Sequence, residues 1–177
     1  IGQYIEQQFV QLRKNVNSST RLGLEVDGSL QVVENLWLDL TGTLMKATID
    51  QYIPENINRD TVYSNVSPVL TPSFQVLATL RYKPIASIDV DASVRHVAQS
   101  FTDLSNATAL VLPSFTQVNV HVWWNFMGAH RLGVMANNIT NAFVVTNGGV
   151  GYVQGAPVPT YFVQATRNYA VVLNVRL

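Results

Sequence analysis

The sequence contains no cysteine. That excludes a disulfide framework and any thiolate metal site. It also lacks a run of about 18 apolar residues, although 47% of its residues are hydrophobic, so no transmembrane helix is expected. Charge is scarce, at 12% of residues, and the 11 Lys and Arg balance the 11 Asp and Glu. Without a basic run to follow a phosphate backbone, nucleic acid is not an expected partner. The three histidines, His96, His121 and His130, are too scattered to form a metal site. No grouping of nucleophile, base and acid stands out, and no cofactor motif is present, so no enzymatic activity is expected. The 177 residues suit one domain, 1–177. The chain opens on Ile1 with no signal peptide, which suggests a mature product, a fragment or part of a longer chain.

What the sequence does have is alternation. In "FTQVNVHVWWNF", Phe115 to Phe126, the residues Val118, Val120, Val122, Trp124 and Phe126 fall on one face, and Gln117, Asn119, His121, Trp123 and Asn125 on the other. A period of two marks a strand with two unlike faces. The pattern recurs in "STRLGLEVDGSL", "NLWLDLTGTL", "SFQVLATLRYK", "SIDVDASVR", "RLGVMANN" and "NYAVVLNVRL". With the weakly alternating "YIEQQFVQLRKNV", this predicts about eight strands of roughly ten residues.

The predicted connections alternate as well. Short ones, "QVVEN", "KPIAS" and "FMGAHR", interleave with long ones covering Gln51–Pro72, Phe101–Pro113 and Thr146–Arg167. Short turns at one rim and long loops at the other, joining strands long enough to cross a bilayer when tilted, describe an all-β, antiparallel up-and-down transmembrane barrel. A soluble β-sandwich or lipocalin-like barrel is the rival. Its polar face meets water and should be rich in Lys and Glu, whereas here it carries Asn, Thr, Ser, Gln and balanced charges. Aromatic residues near the strand ends, Phe74, Tyr82, Trp124, Phe126, Phe143 and Tyr169, fit the girdles of a membrane barrel.

Four stretches carry a family resemblance. Leu112-Pro113-Ser114-Phe115-Thr116 opens one strand, and "VMANNITNAF", Val134 to Phe143, ends another. "VQLRKNVNSSTRLGLEVDG" and "VSPVLTPSFQVLATLRYKP" lie upstream of both. In this order the sequence resembles the C-terminal end of a TonB-dependent outer-membrane receptor. Leu177 stands at the end of the chain, where that family usually has Phe. The resemblance implies that these strands are the last third of a barrel of about 22 strands. The plug domain and TonB box of such a receptor are not present in the sequence. Outer-membrane lipid, the TonB system acting through that plug, and an extracellular small-molecule ligand are the implied partners. The implied activity is energised uptake of a scarce ligand: a ferric siderophore, haem, cobalamin or an oligosaccharide. The second reading is a complete eight-stranded outer-membrane barrel with a structural or adhesion role, in which the last strand pairs with Tyr4–Leu12. The third is a soluble ligand-binding barrel.

Under the barrel reading, Asp89, Asp91, Arg95, Gln117, Asn119 and His121 face the lumen. Asp89 and Asp91 could act as a paired acid and base, but a charge-balanced lumen ladder explains them more simply. Tyr52, Arg59 and Tyr63, in the first long connection, are candidate ligand contacts, because loops on a rigid rim often carry binding. Trp123 is a fourth candidate, as an aromatic platform. The glycine-rich "TNGGVGYVQG" precedes no helix and so is no phosphate cradle; it is expected to be a mobile outer loop.

Overall fold

A computed structural model describes residues 2–5, 8–11, 18–54, 61–128 and 130–176. None of these residues is helical. The principal sheet is built from β3 (Ser19–Val33), β4 (Leu36–Tyr52), β6 (Phe74–Ile85), β7 (Ile88–Val97), β10 (Phe115–Phe126), β11 (His130–Asn137) and β14 (Asn168–Asn174). The strands lie side by side in chain order, each antiparallel to the next, and β5 (Tyr63–Val66) adds to β4. Three small hairpins stand apart from the sheet: β1 (Gly2–Ile5) with β2 (Gln8–Gln11), β8 (Ser100–Phe101) with β9 (Val111–Leu112), and β12 (Val145–Val153) with β13 (Ala156–Val163).

Register turns the alternation of single strands into rows across the sheet. Leu30, Leu38, Leu80, Ala92, Val120, Ala136 and Tyr169 are successive cross-strand partners. A neighbouring row runs Leu36, Tyr82, Val90, Val122, Val134 and Val171. Slipping β3, β4, β6, β7 or β10 by a single residue would put a polar group into these rows, so the pattern fixes the register of those strands. No second layer among the described residues covers this apolar face. Leu24 is 63% exposed and Val171 72%. The two layers of a soluble sandwich are therefore not seen.

The turns explain how the chain reverses at one end. Asn35, between β3 and β4, has φ 64, and Met127 and Gly128, after β10, have φ 48 and 75. Asparagine and glycine tolerate that left-handed region well. At the opposite end the three long connections pack on one another. The amide of Asn106 accepts from Ser67 N at 2.6 Å and donates to Ser67 O at 3.0 Å, joining the second connection to the first. Tyr161 Oη donates to Val111 O at 3.0 Å, joining the third to the second. Buried apolar side chains collect at this end: Ala47, Ile49, Val66, Leu112, Phe115 and Val145.

Four expectations from the sequence need correction. "YIEQQFVQLRKNV" is not one strand of the sheet: Tyr4 pairs with Phe9 inside the β1–β2 hairpin and not with the last strand. The described sheet accordingly stays open, with β3 and β14 as its edges. β4 runs to Tyr52, past the start of the connection expected from Gln51, and β5 lies within that connection. Beyond Leu44 its inward side changes from polar to apolar, with Ala47 and Ile49 buried, which ended the periodic signal while strand pairing continued. Finally, "TNGGVGYVQG" is paired strand. Gln154 and Gly155 both have positive φ (51 and 80), as a tight two-residue hairpin turn needs, and β12 pairs with β13 along its length. Gly148 allows that approach, because a Cβ there would meet Leu112 Cδ2 at 2.7 Å as well as the Thr160 backbone. The end of the chain at Leu177 lies outside the described residues.

Candidate functional site on the polar face

The second face of the sheet is polar because every strand gives its other set of alternate residues to it. Gln117 pairs with Arg95, Asn119 with Ser93, and His121 with Asp91. Asp89 pairs with Trp123 on the same face. The six residues predicted to share a face do so: Asp89, Asp91 and Arg95 on β7, and Gln117, Asn119 and His121 on β10.

Towards the short-turn end this face is a network of balanced charge. Arg81 grips Asp39 with two nitrogens, Nη2 reaching Oδ1 at 2.8 Å and Nε reaching Oδ2. Asp89 accepts from Asn125 Nδ2 at 2.8 Å and faces Lys83 Nζ at 3.6 Å and Arg131 Nη2 at 3.5 Å. Arg131 also lies over the Trp123 ring, 4.1 Å from its centroid. These groups surround an open recess of about 280 Å³ that Trp37 and Asp91 help to line. Asp89 and Asp91 are therefore not an isolated acid–base pair, since Asp89 is engaged by two cations and an amide.

Further along, His121 Nε2 lies 3.0 Å from Asn137 Oδ1, and Asn137 Nδ2 donates to Asn168 Oδ1 at 3.0 Å. Asn119 Oδ1 accepts from Asn138 N at 2.9 Å. The buried Asn138 in turn spans the tight turn "NITNA": its Nδ2 donates to Ala142 O at 2.8 Å, and its Oδ1 accepts from Ala142 N at 2.9 Å. These asparagines have a structural task, closing the backbone where β11 leaves the sheet. The histidines are dispersed: His96 contacts Thr116 Oγ1, on the apolar face, and His130 packs near Phe126.

Of the candidate ligand contacts, Tyr52 and Tyr63 come together, and Trp123 lies apart from them. Tyr52 and Tyr63 are cross-strand partners of β4 and β5, with ring centroids 6.4 Å apart, at the end of the long connections. Trp123 sits towards the opposite end, covering Gly133. Arg59 lies outside the described residues. The sequence reading missed Asp39, Arg81, Lys83, Asn125 and Arg131 as members of one cluster. Their presence on polar sides of strands was legible, but their proximity depends on register between strands.

A second recess, of about 200 Å³, opens where the polar face passes beneath the long connections. Gln75, Arg95, Ser100, Leu112, Phe115 and Thr146 line it. The Arg95 guanidinium lies 5.5 Å from the centroid of the Phe115 ring.

No protein-family model matches the chain, and no curated protein matches it in sequence. Solved structures that share its fold include two receptors. The siderophore receptor PiuA from Acinetobacter baumannii superposes with a TM-score of 0.66 at 12% identity, over 88% of this chain and 21% of that one. BauA, the ferric preacinetobactin receptor from the same organism, superposes with a TM-score of 0.61 at 15% identity, over 88% of this chain and 22% of that one. The chain thus spans about a fifth of the length of these receptors. Its fold, an open antiparallel sheet with one apolar and one polar face, is that of part of a TonB-dependent receptor barrel.

Proposed function

We propose that this chain forms the closing part of the barrel wall of a TonB-dependent receptor in the bacterial outer membrane. The receptor takes up a scarce small ligand from outside the cell. One observation carries the reading: seven strands in register present unbroken apolar rows on a face that no other part of the described chain covers. Water does not tolerate an apolar surface of that extent, whereas lipid covers it without cost. Tyr82, Trp124 and Phe126 lie near the short turns, and Phe74 and Tyr169 near the long connections. The eight residue steps from Phe74 to Tyr82 span about 27 Å along the strand, which tilt reduces to the scale of an apolar band of about 25 Å.

The polar face lines the lumen, and the short turns lie on the periplasmic side. The fold likeness to two iron-chelate receptors supports a ferric siderophore as the ligand class, and energy arrives from TonB through a plug domain beyond this chain. Radiolabelled ferric-chelate uptake by iron-starved cells tests the reading. Uptake should require both this protein and the proton gradient. Accumulation that is unchanged when the protein is deleted, across a panel of ferric siderophores, haem, cobalamin and oligosaccharides, would refute it.

A further inference from the structure

The charged groups of the polar face are not equally served. Arg81 has Asp39, while Lys83 and Arg131 share Asp89. Arg95 has no ion pair or hydrogen bond to any described residue. Its cross-strand neighbours are Leu77 and Gln117, neither of them charged. Along its row the first carboxylate is Asp27 on β3, three strand spacings or about 14 Å away, and that group accepts from Thr41. At that separation across an aqueous face, a carboxylate does little for the guanidinium.

Arg95 also has a fixed position. Its guanidinium is held against the Phe115 ring, a favourable cation–π contact, and Phe115 itself is buried. A buried ring is a firm support, so the cation is held in place before anything binds. In front of it lies the recess beneath the long connections. Gln75, Ser100 and Thr146 supply polar groups there, and Leu112 supplies an apolar wall. A cation that is oriented, unpaired among the described residues and backed by low-dielectric side chains attracts an anion of matching shape.

We propose that this recess is an anion subsite in which Arg95 receives a single carboxylate group of a small ligand through two parallel hydrogen bonds. The planar fork of a guanidinium fits a carboxylate in that way. One cation matches one negative charge, whereas a phosphate dianion calls for more positive charge than the recess holds. The recess of about 200 Å³ is smaller than a site for a whole drug-sized molecule, so it takes one end of a ligand and leaves the rest in the lumen. The proposal rests on the uptake reading, and it names the chemical group that the lumen wall recognises.

The test uses the complete receptor in proteoliposomes, with benzoate as probe and benzamide as its neutral isostere. Equilibrium dialysis should show saturable benzoate binding and none of benzamide. Arg95→Gln should weaken benzoate binding by about tenfold or more, and Arg95→Lys by less, because the charge remains while the fork is lost. Retained resistance to trypsin and heat-modifiable gel mobility establish that each variant is folded. Equal benzoate binding by Arg95→Gln and the parent, or no saturable binding by the parent, overturns the subsite. Ferric-chelate uptake is scored separately. Arg95-dependent benzoate binding without any uptake leaves the subsite standing and removes the transport reading. Uptake without benzoate binding does the reverse.

Discussion

Trp123 lies flat across Gly133, its cross-strand partner on β11, and Arg131 lies over the same indole. A Cβ on Gly133 would come within 2.9 Å of Trp123 Cη2 and closer still to Cζ3 and Cε3. The glycine is therefore required by the ring above it and not by a turn. Gly133→Ala should force Trp123 off its seat and cost about 1–3 kcal/mol, the range for overpacking. Reversible unfolding in lipid measures the loss, and tryptophan emission in a Trp37→Phe, Trp124→Phe background reports the ring. An unchanged spectrum and stability would show that Trp123 does not rest on Gly133.

Facing can be tested with two neighbouring residues of β6. Ala78 lies in an apolar row between Leu40 and Val94, midway between the aromatic Phe74 and Tyr82. Thr79 lies on the polar face between Asp39 and Ser93. Ala78→Arg should cost about 2–4 kcal/mol, as expected for arginine on the lipid face near the midplane. Thr79→Arg, beside a carboxylate, should stay within about 0.5 kcal/mol. Equal costs in urea titrations of the liposome-embedded protein would contradict the assignment. Asn119 is a poor control for such an experiment, since its side chain also accepts from the Asn138 backbone.

Asn138 is buried, has φ 50, and uses both ends of its amide on Ala142. Asn138→Ala leaves two backbone groups without partners and puts a Cβ-only side chain in the left-handed region. We expect a loss of about 2–4 kcal/mol. The damage should concentrate where β11 leaves the sheet, so limited proteolysis should cut within residues 139–167 before it cuts the sheet. Uniform cleavage would argue against this local role.

The two carboxylates of the charge network should behave differently. Asp39 and Arg81 are partly exposed, with side-chain accessibilities of 33% and 49%, so a double-mutant cycle of Asp39→Asn and Arg81→Gln should return little coupling between them. Asp89 neutralises two cations and binds Asn125. Asp89→Asn leaves Lys83 and Arg131 facing each other, and its cost should exceed that of Asp39→Asn and shrink as salt is raised. A salt-independent cost would mean that packing, not charge, explains Asp89.

Which residues alternate, and hence the two faces of each long strand, was legible in the order of the amino acids. "FTQVNVHVWWNF" and "SIDVDASVR" are strands where the period of two placed them, and the short and long connections fall at the ends that their spacing predicted. Local side-chain periodicity is enough for this, because successive residues of a strand must point to opposite sides. The tertiary structure alone decided what lies beside what. Arg81 meets Asp39 across 42 residues, and Trp123 meets Gly133, only because register aligns strands whose sequences carry no mark of their partners. It also decided where periodicity misleads. β4 runs on past Leu44 because it goes on pairing, with β3 as far as Ile49 and with β5 as far as Tyr52, and the glycines of β12 pair as strand because Gln154 and Gly155 turn the chain back on itself. In both places burial and pairing come from distant residues, and a local pattern holds no information about those.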